Sequence, residues 1–385
     1  MKFTLYFLIS LFITFVISLI LTPIVKLLAV KIGAVDNPNA RRINKIPMPT
    51  AGGLAIFVSF AISSLVILPR FVGVIIPNVT FFQYIFPYII AAGVIIVTGL
   101  IDDIKEISPK QKTFGIILAS LVIWFFTKAR FDMMTFPIFG LVHFKWWLSF
   151  PLTIIWISAL TNAVNLMDGL DGLVSGVSII SLTTIGVIGY FFLGEFNVYV
   201  SIAIFTLIAA IAGFFPYNFN PAKIYLGDTG ALFLGFMISV ISLQGLKNAT
   251  FIAILTPMLI FGVPITDTVF AMIRRKLNNQ SITSPDKMHL HHRLLSLGFS
   301  HKGAVLMIYA ITMIFSFIAL VINVSSQLGA VMLLIFSVIG VEIFSEMVGI
   351  FGEKRTPMLK LLKLFGNTRY RQFVISQYKE RRKKK

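Results

Sequence analysis

The chain alternates long apolar runs with short polar breaks. A helix that crosses a bilayer needs ~20 mostly apolar residues. Eleven segments meet that pattern, at roughly 3–25, 51–69, 85–101, 114–128, 146–164, 173–192, 199–217, 229–246, 249–273, 304–323 and 327–350. The fourth is the shortest. The first could pass for a secretory leader, but its apolar run is long and no small-residue cleavage site precedes Pro23, so it is expected to remain as a helix. The pattern predicts an all-α polytopic membrane protein. Residues 1–350 form one integral membrane domain and 351–385 a basic tail.

Composition agrees. The chain is 57% hydrophobic and 12% charged, whereas soluble domains lie near ~45–50% and ~25%. That excludes a soluble enzyme and a disordered chain. Cysteine is absent, which removes disulfides, a thiolate nucleophile and Cys-based metal sites.

An odd number of spans puts the termini on opposite sides, and charge decides which is which. The chain has 33 Lys+Arg against 15 Asp+Glu. With the C-terminus inside, 27 of the 33 basic residues fall in the inner segments 26–50, 102–113, 165–172, 218–228, 274–303 and 351–385. Six fall outside: Lys2, Arg70, Lys128, Arg130, Lys145 and Lys247. Inner loops collect Lys and Arg, so the N-terminus is expected outside and the C-terminus in the cytoplasm. Trp146 and Trp147 beside Lys145 suit an interfacial anchor on the outer face. The basic run from Lys379 to Lys385 reads as an anchor on anionic membrane lipid. It does not read as a nucleic-acid site, having few interleaved aromatics.

Polar residues at membrane depth are costly and are functional candidates by default. Here they gather on the predicted cytoplasmic side. Asp102 and Asp103 end the third span, and adjacent helical residues diverge by about 100°, so each can serve a different partner. Lys105, Lys110 and Lys112 follow, either as ordinary inner-side charges or as phosphate holders. Asn162, Asn165 and Asp168 recur every three residues along one helix face, with Asp171 next. Asn218, Asn220, Tyr225 and Asp228 lie between the seventh and eighth spans, where Gly227 and Gly230 let backbone approach a ligand. Asp267 sits in the ninth span, and His289, His291, His292 and Arg293 follow it. Histidine and arginine suit phosphate. Zinc is the rival for the histidines, although no second ligand pair has zinc spacing. His143 and His301 read as interface and loop surface. Glu342 and Glu346 share a face of the last span, with no role read for them beyond pairing with Lys354 or Arg355 or lining a helix–helix contact. A transporter of anionic substrates is the alternative class, but it would place such groups near the bilayer midplane. A one-sided cluster better suits an enzyme joining a cytosolic reagent to a lipid.

Five segments in this order resemble the polyprenyl-phosphate N-acetylhexosamine-1-phosphate transferases. They are Pro47-Met-Pro-Thr-Ala-Gly-Gly-Leu-Ala, the Asp102-Asp103 segment, Asn162 to Leu173, Asn218 to Gly235, and His289 to Leu294. His289-Leu-His291-His292-Arg293-Leu-Leu looks like the branch that uses UDP-N-acetylglucosamine (UDP-GlcNAc) to start teichoic acid, O-antigen or related glycans. Two departures stand out: Ala231 replaces a common Ser, and Glu106 departs from an Asp-Asp-x-x-Asp pattern. The resemblance implies Mg²⁺-dependent transfer, with Mn²⁺ as a substitute, of GlcNAc-1-phosphate from UDP-GlcNAc to undecaprenyl phosphate in a bacterial cytoplasmic membrane. A different UDP-N-acetylhexosamine is the near alternative. By resemblance Asp228 and Asn165 contact the metal. Asp102, Asp103 and Asp168 serve the chemistry, with Asp102 and Asp103 acting on the lipid phosphate. His289, His292 and Arg293, with His291, hold the diphosphate, and Lys110 and Lys112 hold phosphate. Asn218, Tyr225 and Asp171 face the uracil. Homodimers occur in the family, so a homodimer is the expected assembly.

Overall fold

The structure is a computed structural model. It describes residues 2–38, 46–71, 78–136, 140–192, 198–244, 290–349 and 356–367, with Leu259, Gly262, Ile265, Met272, Arg275, Lys276 and 371–372. The helices are α1 (Lys2–Ile32), α2 (Gly53–Ile62), α3 (Leu68–Phe71), α4 (Asn78–Lys105), α5 (Pro109–Phe126), α6 (Trp146–Met167), α7 (Leu173–Phe192), α8 (Val198–Asn218) and α9 (Gly227–Gln244). After the incompletely described stretch come α10 (Leu290–Ser296), α11 (His301–Val324), α12 (Gln327–Val348) and α13 (Pro357–Gly366). A π turn at Ser63–Ile67 joins α2 to α3.

Among the described residues, nine helices are long and apolar enough to cross a membrane. The expected fourth span corresponds to α5, which is not one of the nine, and the expected ninth, 249–273, lies largely outside the described residues. The protein is therefore a multi-pass helical membrane protein. Two small ribbons depart from the all-helical expectation: β1 (Val35–Asp36) with β2 (Met48–Pro49), and β3 (Met133–Phe136) with β4 (Gly140–His143), both antiparallel. They stand where the backbone leaves a helix and must still pair its polar groups.

Several helices outrun their apolar stretches. α1 continues through Pro23 to Ile32. Neighbouring groups can re-satisfy the backbone around an intramembrane proline, and Thr22 Oγ1 donates to the Ser18 carbonyl one turn back. Ser18 itself donates across to the Ala210 carbonyl of α8 at 2.6 Å. α4 continues to Lys105, so Asp102 and Asp103 belong to its last turns. α5 begins at a signal readable in the sequence. Ser108 accepts from the Gln111 N–H while Gln111 Oε1 accepts from the Ser108 N–H, with Pro109 at the first helical position.

The core centres on α9, in which every residue from Thr229 to Leu243 is buried. A helix apolar on all sides is surrounded by others, and α9 packs on α2, α4, α6 and α7. The chain's up-and-down course then sets the ends. The C-termini of α4, α6 and α8 meet the N-termini of α5, α7 and α9 at one end of the bundle.

Small residues permit close helix packing where water supplies no driving force. A Cβ on Gly213 of α8 would sit 2.3 Å from the Phe15 carbonyl oxygen of α1. Gly213→Leu is expected to part α1 from α8 at about 1–3 kcal/mol, the range for overpacked cores. A thermal unfolding midpoint unchanged from the parent protein would contradict that packing.

Candidate active site

The end of the bundle formed by α4, α5, α6 and α9 carries a cluster of acids around one lysine. Its geometry starts at Gly227, whose φ of +73° turns the chain into α9. Asp103 of α4 caps that helix. Its Oδ1 accepts from the Asp228 N–H at 2.9 Å, and its Oδ2 accepts from the Thr229 N–H at 3.1 Å and the Thr229 hydroxyl at 2.5 Å. The Thr50 hydroxyl donates to Oδ1 at 3.2 Å. A carboxylate at a helix N-terminus satisfies orphan N–H groups and the positive end of the helix dipole. Close backbone contact completes the clamp. A Cβ on Gly53 would lie 2.1 Å from Gly230 Cα, and one on Gly99 would lie 2.5 Å from Thr229 Cα.

The clamp fixes Asp228 in the first turn of α9. Asp228 Oδ1 accepts from Lys112 Nζ at 3.0 Å and from Asn165 Nδ2 at 2.5 Å. Lys112 Nζ also pairs with Asp102 Oδ2. Asp102 is buried, and its Oδ1 accepts from the Ile107 N–H at 2.8 Å. Lys112 thus bridges carboxylates from α4 and α9. Burial works against its charge, but Asp228 and Asp102 outweigh it and raise its pKa above the ordinary lysine value. Asp168 ends α6, and its pKa is raised well above the usual carboxylate range. Burial is the main cause, followed by the negative charges of Asp228, Asp103 and Asp171.

The histidine segment reaches this end through α10. His291 is buried with its Nε2 against Gly169, where a Cβ would lie 2.2 Å away. The His292 ring lies 4.3 Å from that of His291, centre to centre. His289 and Asp267 lie outside the described residues.

Four residues expected on substrate are not among the partners of the Lys112 cluster. Arg293 is not in the acid cluster: its Nε donates to the Val348 carbonyl at 3.2 Å, at the end of α12, where helix carbonyls attract cations. Asn218 is turned inward, accepting from the Ser175 hydroxyl at 2.7 Å and donating to the Ile224 carbonyl at 3.2 Å. Asp171 Oδ2 accepts from Asn220 Nδ2 at 2.8 Å and the Ala222 N–H at 3.1 Å, which braces the loop after α8. Lys110 is exposed, outside the pairing around Lys112. Tyr225 is half-buried at the end of the braced loop, with its N–H on the Pro49 carbonyl at 2.9 Å and its carbonyl receiving the Gly52 N–H at 3.0 Å.

Sequence reasoning missed Thr50 and Thr229 as partners of Asp103. It also missed His301, whose Nε2 accepts from the Asp171 N–H at 2.9 Å. Thr229 carried a signal, a hydroxyl directly after Asp228 at a helix start; His301 carried none.

Acids, an amide and a lysine are thus gathered at one end of a membrane helix bundle. Residues 85–246, which include all the clustered acids, match the family described as Glycosyl transferase family 4. The chain is 40% identical to a Bacillus subtilis protein named "probable undecaprenyl-phosphate N-acetylglucosaminyl 1-phosphate transferase", over 88% of this chain and 91% of that one. It is 34% identical to a decaprenyl-phosphate N-acetylglucosaminephosphotransferase of Mycolicibacterium smegmatis, over 74% of each chain. It is 28% identical to an Escherichia coli undecaprenyl-phosphate alpha-N-acetylglucosaminyl 1-phosphate transferase, over 73% of this chain and 74% of that one. The chain belongs to glycosyl transferase family 4 and is a phosphoglycosyl transferase.

Asp103→Ala removes the acceptor for two backbone N–H groups and two hydroxyls. It is expected to destabilise the protein by about 2 kcal/mol, from the lost cap and unpaired donors, and to lower activity together with stability. Full activity with an unchanged melting midpoint would refute the clamp.

Proposed function

We propose that the protein transfers GlcNAc-1-phosphate from UDP-GlcNAc to undecaprenyl phosphate and releases UMP, starting a cell-envelope glycan such as teichoic acid. The reaction would run on the cytoplasmic face of the bacterial cytoplasmic membrane. The observation that carries this reading is the bridge of Lys112 between Asp102 and Asp228, beside Asn165, at the capped start of α9. The acceptor and sugar specificity draw on the names of the relatives. The side of the membrane draws on the distribution of Lys and Arg.

Both substrates are anions, so the site must gather cations. Among the described residues, no three His, Asp or Glu side chains converge as a ready metal cage. Mg²⁺ needs no such cage, since it is commonly held by one or two protein oxygens together with substrate phosphates and water. Asp228 and Asn165 would hold it, offering hard oxygen donors at the end of the bundle. When bound, Mg²⁺ neutralises charge developing on the phosphates. Lys112 would move from its carboxylates onto a phosphate oxygen. The lipid phosphate oxygen attacks the phosphorus that bears the sugar, the bond from that phosphorus to the UMP oxygen breaks, and UMP leaves. Direct attack is favoured over a covalent intermediate on Asp103, which spends both oxygens on the start of α9. Asp102 holds the Ile107 N–H with one oxygen, and its other oxygen is released toward the lipid phosphate when Lys112 moves.

The acceptor's tail has a place beside Asp102. A groove of about 600 Å³ runs between α4 and α5, lined by Ile90, Val94, Val97, Ile101, Phe114 and Leu118 among others, with Ile107 and Gln111 contributing toward the acids. It is apolar, and Val97 and Phe114 are exposed. An isoprenoid chain fits such a lining. A Cβ on Gly93 would meet nothing closer than 3.9 Å, so a larger side chain there fills the groove without splitting the helices. Gly93→Leu is expected to raise the KM for undecaprenyl phosphate severalfold while leaving that for UDP-GlcNAc unchanged. Equal shifts in both would move the tail elsewhere.

The overall reading is tested by UMP release from UDP-GlcNAc, with and without undecaprenyl phosphate and Mg²⁺. Release should require all three, and Asp228→Ala should lower kcat by about 10²–10³, the scale of losing a group that stabilises transition-state charge. No lipid-dependent release would overturn it.

A further inference from the structure

The chain does not end with its last span. Residues 357–366, PMLKLLKLFG, form α13 with Pro357 at the first helical position. At about 100° per residue, Met358, Leu361, Leu362 and Phe365 fall on one arc, and Lys360 and Lys363 fall on the opposite side. Among the described residues most of this apolar face is left uncovered: Leu361 and Leu362 are each 47% exposed and Phe365 76%.

The helix is nonetheless held in place. Glu346, in the last turn of α12, is 3% exposed. Its Oε1 accepts from the Met358 N–H at 2.8 Å and its Oε2 from the Leu359 N–H at 2.7 Å. A buried carboxylate thus caps α13 from another helix and meets the positive end of its dipole. Glu346 lies two residues before α12 ends at Val348, so the start of α13 is pinned at the level where the last apolar helix stops.

We propose that α13 is a membrane-surface helix. Its apolar face sits at the boundary of headgroups and acyl chains, and its lysines meet anionic lipid of the inner leaflet. The inner leaflet rests on the membrane orientation given above. Charge selects this occupant. Segment 351–385 holds twelve Lys and Arg against two Glu, which attracts an anionic surface. A second copy would bring the same basic segment and be repelled.

The absence of cysteine from the chain allows a direct test. Leu362→Cys and Lys360→Cys, on opposite sides of α13, are each labelled with a nitroxide in the full-length protein. Each is placed in nanodiscs of phosphatidylcholine mixed with phosphatidylglycerol. The Leu362 label should be severalfold more accessible to oxygen, which partitions into lipid, than to a water-soluble nickel relaxant, and the Lys360 label should show the reverse. Nickel reaching both labels equally would overturn the proposal. So would a Leu362 label shielded from both reagents, as contact with a second copy or another protein would produce. Neither readout depends on transferase activity, so UMP release separates this result from the functional reading.

Discussion

One carboxylate sets up the acid-bearing end of this protein. Asp103 leaves α4 and takes up the first N–H groups of α9 together with the hydroxyls of Thr50 and Thr229. Four partners around one side chain tie three separate segments at a single point. Cβ-less contacts from Gly53 and Gly99 bring the same segments within backbone distance. Asp228 is directed by this knot, and Lys112 and Asn165 reach it from α5 and α6. If the start of α9 moves, every contact of the cluster moves with it.

Among the described residues the cluster is short of positive charge. Asp102, Asp103, Asp168 and Asp228 crowd one end of the bundle with Lys112 as the cation that bridges two of them. Buried charges tolerate this only when paired and hydrogen-bonded. Asp103 is satisfied by donors, Asp102 and Asp228 by Lys112, and Asp168 by a raised pKa. In the proposed reaction this cluster would take up a cation and give Lys112 to an incoming phosphate. The adjacent aspartates therefore divide their partners: Asp103 holds the start of α9, and Asp102 pairs with Lys112.

Much of this was legible in the sequence. Apolar runs located most spans because the membrane imposes one length on all of them. The acids were found because polar groups at membrane depth stand out. The divergence of Asp102 and Asp103 followed from helix geometry alone. What could not be read was the set of protein partners that hold these side chains. Arg293, Asn218 and Asp171, expected on substrate, bond to a helix end and to the loops around them. A sequence displays donors and acceptors but not the distant carbonyls that claim them, and Val348 lies 55 residues from Arg293. Glu346 had no readable role for the same reason, since its partners belong to a helix beyond the membrane domain.

The central claim is that the capped start of α9 is the phosphoryl-transfer centre. It is tested most directly by locating Mn²⁺, from its anomalous scattering, in crystals grown with UDP-GlcNAc. The account predicts an ion on Asp228 and Asn165 beside the diphosphate, with Lys112 drawn onto phosphate. An ion held instead by His291 and His292, with Lys112 still bridging Asp102 and Asp228, would contradict it.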